Sequence, residues 1–165
     1  MERQADQNTN AAKRSKSAFR VVAVASSGGH WQQLMLLRQA FQDERVLYLT
    51  TMKGLPEEYG ASPAKIVPDC NRNEYGRIIV SMYRIILSFV KFRPHLIVST
   101  GALPGALAIV IGRLFGAKTI WVDSVANAEE LSMSGQLVRR FCHVFLTQSE
   151  FVSASTGVAF EGSVL

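Results

Sequence analysis

Ser26-Ser27-Gly28-Gly29-His30 stands where the apolar run "VVAVA" hands over to a helical pattern beginning near Trp31. Two adjacent glycines can take positive φ and let a ligand come close to the backbone. A helix starting there presents free N–H groups and the positive end of its dipole, for which a phosphate or diphosphate is the natural guest. His30 adds a titratable ring that can serve as a base near neutral pH. Glycines also serve simply to make a tight strand-to-helix turn, so this loop alone leaves both readings open. A second loop, Ser99-Thr100-Gly101-Ala102-Leu103-Pro104-Gly105, repeats the device and adds the hydroxyls of Ser99 and Thr100. A third, running from Asp123 and Ser124 to Glu129, brings two acids. Each helix end is worth about 0.3–1 kcal/mol toward an anion, enough for two of them to orient a diphosphate but not to hold it tightly.

Sharper motifs fail. The first loop is not G-x-G-x-x-G, and the second predicted strand ends in Thr50 instead of an acid that could hold a ribose. "GRLFGAKT" resembles a P-loop only superficially, since its lysine does not follow glycine and a strand comes next. No G-x-S-x-G occurs, which argues against a serine hydrolase of the usual kind. Aromatic–basic interleaving and helix-turn-helix patterning are lacking, so nucleic acid is not expected as a partner. Cys70 and Cys142 stand far apart without a C-x-x-C, so no metal site or redox motif is expected, only reduced thiols in a cytosol-facing protein. His95 and His143 each open a strand at the opposite edge of the sheet, where a surface or core role is expected.

These loops need a frame to bring them together. "FRVVAVAS", "RVLYLT", "AKIVPDC", "HLIVST", "KTIWVDS" and "HVFLTQS" read as six strands, each a continuous apolar run of the kind covered on both faces. Helical patterns alternate with them in "HWQQLMLLRQAF", "EYGRIIVSMYRIILSFVKF", "LPGALAIVIGRLFG" and "GQLVRRFC". Strict β-α alternation predicts an α/β fold, a Rossmann-like doubly wound parallel sheet. Ligands bind such sheets outside the carboxyl ends of the strands, at the switch point in strand order. With order 3-2-1-4-5-6, the first two loops are neighbours there. The 165 residues, 48% hydrophobic and 19% charged, suit one domain with a real core. Residues 1–18, polar and containing "KRSK", read as a disordered basic tail with no signal peptide, leaving 19–165 as the single domain. A net charge of +5 favours anionic partners.

Residues 77–93 are apolar nearly all round, and their polar residues Arg77, Ser81, Arg84, Ser88 and Lys91 form one thin line. A surface helix normally shows a wider polar face. Two readings stay open: a helix packed on both sides, or one lying in a membrane interface with Arg77, Arg84 and Lys91 at head-group level. No run of about 18 uninterrupted apolar residues occurs, so no conventional transmembrane helix is expected.

"SSGGHWQQLMLL", "VSTGALPGALAIVIGRLFGAKTIWVDSVANAEELSMSGQLVRRF" and the closing "EGSVL" together resemble the family of asparagine-linked-glycosylation protein fourteen. Members of that family are the acceptor-binding, membrane-associated subunits of split glycosyltransferases. The eukaryotic ones work in the dolichol pathway, and bacterial relatives serve exopolysaccharide assembly. The resemblance runs roughly from Arg20 to Leu165 and is most specific from Ser99 to Gly135.

It implies half an enzyme, like the amino-terminal half of a GT-B glycosyltransferase such as the peptidoglycan N-acetylglucosaminyltransferase, ending where a one-chain enzyme would continue. This half would hold a polyprenyl-diphosphate-linked saccharide. A separate small subunit would supply the UDP-sugar, with no other cofactor and no obligatory metal. By the resemblance, Ser27, Gly28, Gly29, Ser99, Thr100, Gly101 and Ser124 bind the acceptor diphosphate. His30, Asp123 and Glu129 are the catalytic candidates, although eukaryotic members more often carry glutamate at the position of Asp123. The family's amino-terminal membrane anchor is lacking in this sequence, which turns attention to the helix at 77–93. A peripheral place on the cytoplasmic face of a membrane is implied, the bacterial inner membrane before the endoplasmic reticulum. A non-catalytic scaffold that docks the sugar-nucleotide subunit is the alternative.

Overall fold

A computed structural model describes residues 19–164 of the chain; the predicted tail lies outside the described residues. Seven parallel strands form one sheet in the order β3-β2-β1-β4-β5-β6-β7. They are β1 (Arg20–Val24), β2 (Arg45–Thr50), β3 (Ala64–Ile66), β4 (Leu96–Ser99), β5 (Lys118–Val122), β6 (Val144–Thr147) and β7 (Ala159–Phe160). The order reverses between β1 and β4, which pair directly from Val21↔Leu96 to Val24↔Ser99. The predicted doubly wound parallel sheet is therefore present, with a seventh strand beyond the six expected.

The helices are α1 (Gly29–Leu37), α2 (Leu55–Glu58), α3 (Tyr75–Phe92), α4 (Ala102–Leu114), α5 (Met133–Val138) and α6 (Glu150–Thr156). Alternate residues of β1 feed two cores. Val22 and Val24 join Ile85 and Phe89 of α3 and Ile109 of α4, whereas Val21 and Ala23 join Trp31 and Leu34 of α1. Each large side chain buried in these layers is worth about 1.5–3 kcal/mol. Trp31 is fully buried and meets Tyr48 and Tyr59 edge-on, which fixes α1 over its end of the sheet.

Several details differ from expectation. The pattern through Phe41 continues past α1 as a 3₁₀ turn, Arg38–Phe41. β3 stops at Ile66 because Pro68 has no N–H to give the ladder. Helices α2 and α6 were not anticipated; α6 is capped by Ser149, whose hydroxyl accepts from Val152 N–H, and closed by Gly157 at φ 69°. Burial pushes the Cys142 thiol up to about 12, so it stays protonated at neutral pH.

The thin polar line on α3 is split. Ser81 and Ser88 face inward beside Ile85 and Phe89, with Ser88 Oγ donating to the Arg84 carbonyl at 2.8 Å. Outward stand Tyr75, Ile79, Val80, Met82, Tyr83, Leu87 and Val90, Ile79 being 66% and Tyr83 61% exposed. Neither serine belongs to a wetted stripe, and the helix is not packed on both sides by the described residues. Arg77 pairs with Glu74 at 3.0 Å and Arg84 donates to the Ile66 carbonyl at 3.2 Å. No helix among the described residues is long and apolar enough to cross a membrane.

A candidate anion-binding cleft at the switch point

The first and second loops meet at the carboxyl ends of β1 and β4 through His30. Its Nδ1 lies 3.0 Å from the Thr100 carbonyl, and the Thr100 hydroxyl donates to the His30 carbonyl at 2.7 Å. A carbonyl only accepts, so Nδ1 must carry the proton and Nε2 of the neutral ring is left as the acceptor. Gly101 makes this contact possible: at φ 143° it has no Cβ, and one built there would sit 2.3 Å from His30 Nδ1. The next residue, Ala102, is held at φ 64°, a left-handed conformation that a non-glycine adopts at a cost. Gly101→Ala is expected to expel the His30 ring from this seat. Loss of the Nδ1 proton's protection from exchange in the variant would report it, and an unmoved ring would contradict it.

Gly28, at φ 74°, forms the N-terminal boundary of α1 without any side-chain cap. A Cβ at Gly28 would meet nothing within 4 Å, and the Gly29 position is nearly as open. Among the described residues the N–H groups of Gly29, His30 and Trp31 have no partner, and the first helical bond is Gln32 N–H to Gly28 O at 3.2 Å. Gly29 and His30 border a cleft of about 420 Å³ that is lined also by Gln32, Gln33, Ser124, Val125, Ala126 and Asn127. No acid and no fixed cation lines it. Attraction for an anion comes from these amides and the α1 dipole, and His30 is the single titratable side chain on its walls.

The other predicted site residues are placed differently. Ser27 borders the turn, its N–H donating to Thr51 Oγ1 at 3.1 Å. Ser99 is fully buried, with Gly101 N–H 3.4 Å from its oxygen, and Thr100 is spent on His30. These hydroxyls build the loop instead of lining the cleft, and part of the expected second loop is already α4.

Asp123, expected as a catalytic candidate, is engaged within the protein. It is 1% exposed, and its carboxyl group accepts from Trp121 Nε1 at 3.0 Å, Ser132 N–H at 2.8 Å and Ser132 Oγ at 2.5 Å. Asp123 pins the long loop 123–132 to β5. Glu129 is exposed on that loop, outside the residues that line the cleft. Ser124 alone of the third loop's candidates faces His30's cleft. Sequence reading missed Gln33 and Gln148, which are 4% and 7% exposed and bonded to each other at 2.8 Å. A glutamine next to Leu34 and Met35 on a helix that buries all three was the available signal.

No family model matches the sequence, and no curated protein matches it. Solved structures do. MurG of Acinetobacter baumannii aligns at a TM-score of 0.73 with 12% identity, over 89% of this chain and 46% of that one. A UDP-N-acetylglucosamine 2-epimerase from Rickettsia bellii gives 0.67 with 11% identity, over 88% and 45%. The Neisseria meningitidis UDP-GlcNAc 2-epimerase, solved bound to UDP-GlcNAc, gives 0.67 with 10% identity, over 88% and 47%. The chain spans about half the length of these structures. At such identities the likeness is one of fold, and the fold is the Rossmann-like domain of the GT-B type.

Proposed function

We propose that this chain is the acceptor-binding subunit of a two-component inverting glycosyltransferase, of the kind formed by asparagine-linked-glycosylation protein fourteen and its bacterial relatives. It holds a polyprenyl-diphosphate-linked saccharide and recruits a small sugar-nucleotide-binding subunit that brings the UDP-sugar. The observation that carries this reading is the cleft at the β1–β4 switch point. There the Gly29 and His30 amides of α1, without partners among the described residues, and the Nε2 of His30 lie within one helical turn. The amides suit a diphosphate, and Nε2 suits a proton leaving an acceptor hydroxyl. The fold shared with MurG and the epimerases supports the assignment to sugar-nucleotide chemistry.

The outward apolar face of α3 supports a peripheral place on a membrane; the cytoplasmic face, and the bacterial inner membrane before the endoplasmic reticulum, belong to the proposal by the resemblance alone. Arg77, Arg84 and Lys91 flank that face at head-group level. Ile79→Glu with Tyr83→Glu is expected to abolish sedimentation with vesicles containing anionic phospholipid, without change in the melting temperature. Unaltered sedimentation would exclude α3 as the contact.

The deciding experiment is co-expression with the sugar-nucleotide subunit and an assay of radiolabelled sugar transfer from UDP-sugars to a polyprenyl-diphosphate saccharide. A stable complex without transfer from any donor would overturn the reading. The scaffold alternative gains from one observation: with Asp123 buried and Glu129 off the cleft, His30 is the one base candidate among the described residues that line the cleft.

A further inference from the structure

We propose that Gln33 is a positioning residue, which acts through a buried carboxamide relay to fix the Ser124 hydroxyl as a hydrogen-bond donor toward the cleft. The inference rests on the reading above that the cleft takes a diphosphate. Backbone groups that cannot change role settle the polarity of the relay. The Asp123 carbonyl only accepts, so the Gln148 atom 2.9 Å from it is Nε2. The Val164 N–H only donates, which puts Gln148 Oε1 on it at 3.0 Å. Gln148 Nε2 also donates to Gln33 Oε1 at 2.8 Å, and Val125 N–H approaches the same oxygen at 3.4 Å.

Gln33 Nε2 is thereby turned to Ser124 Oγ, to which it donates at 3.0 Å. Ala126 N–H approaches that same oxygen at 3.3 Å. With both lone pairs occupied, the Ser124 proton is the one hydrogen-bonding capacity left, and Ser124 lines the cleft opposite Gly29 and His30. Gln33 and Ser124 are each 4% exposed and Gln148 7%, so bulk water does not compete for these bonds. Across the cleft, the Thr100 carbonyl fixes His30 Nε2 as an acceptor. One wall therefore carries a set donor and the other a set acceptor.

The test is a titration of the full chain with inorganic pyrophosphate, followed at the Gly29 and His30 backbone amides by ¹H–¹⁵N NMR. Gln33→Leu and Ser124→Ala should each weaken binding about tenfold, the loss of one hydrogen bond to a charged group. The double variant should be no weaker than Ser124→Ala, because both changes act through the same hydroxyl, Gln33→Leu by releasing its orientation and Ser124→Ala by removing it. Gln33→Glu gives a signature that packing alone would not. Its carboxylate can only accept, so the Ser124 proton turns toward it and affinity falls. Acidification protonates the buried carboxyl group, restores a donor, and brings the affinity back toward that of the natural chain at the same pH.

Natural affinity in Gln33→Leu, or additive losses in the double variant, would overturn the inference and leave the proposed function standing. If Gln33→Leu does not fold, Ser124→Ala and Gln33→Glu carry the same comparison. Absence of shifts at Gly29 and His30 in the natural chain would overturn the proposed function instead. The relay is then judged without ligand: Gln33→Leu should free the Gln148 side-chain amide to fast exchange and shift the Val164 amide. No change in either would overturn it.

Discussion

His30→Ala is expected to lower kcat of the reconstituted subunit pair roughly 10²–10⁴-fold, the usual range for loss of a positioned general base. The prediction follows from the tautomer. The Thr100 carbonyl accepts a hydrogen bond from Nδ1–H, so the neutral ring leaves Nε2 as its acceptor beside the amides of α1 that have no partner among the described residues. His30→Asn is the informative companion. Its side-chain amide can still donate to the Thr100 carbonyl, keeping the two loops joined, yet it offers no basic nitrogen. It should be as slow as the alanine variant with a melting temperature close to the natural one. Full turnover in both variants would move the chemistry to the partner chain and leave this one a docking scaffold.

Asp123→Ala is expected to act on stability and not selectively on chemistry. The carboxyl group accepts from two donors that cannot switch role, the Trp121 indole and the Ser132 backbone N–H, as well as from the Ser132 hydroxyl. Removing it strands buried donors, at a cost of about 3 kcal/mol or more. For a domain of this size that lowers Tm by on the order of 10 °C. Asp123→Asn should also destabilise, since one amide nitrogen would then face a donor. Activity of the surviving folded fraction should fall only as far as loop 123–132 loosens. A variant with natural Tm and no turnover would instead restore Asp123 to the catalytic group.

The sheet was legible because parallel strands covered on both faces must be apolar throughout. "RVLYLT" matches β2 residue for residue, and the β-α alternation implied a parallel doubly wound sheet, for which the order 3-2-1-4-5-6 was a condition and not a deduction. Short elements held by capping were not read. Ser149 and Gly157 bracket α6 at capping positions, but its seven residues carry little periodicity. The α3 pattern misled in one respect. Helical spacing defines a line of polar residues but not which way it faces, and a serine is small enough to be buried among apolar side chains, as Ser81 and Ser88 are, Ser88 giving its proton to the Arg84 carbonyl.

The turn at Gly28 and the start of a helix beside it were legible from residue type and spacing alone. Asp123 was not, because composition cannot distinguish an acid that waits for substrate from one that already holds three donors. The second loop's hydroxyls went inward for a related reason: a buried loop must satisfy its own polar groups first.

The first turn of α1 carries the amides and the imidazole of the proposed site on one stiff piece of backbone, held down by Trp31. Grip and proton acceptance therefore cannot be tuned separately, because any tilt of that turn alters both at once. Relatives that come to handle different carriers would have to diverge on the facing segment, where Val125 and Ala126 leave room for larger side chains.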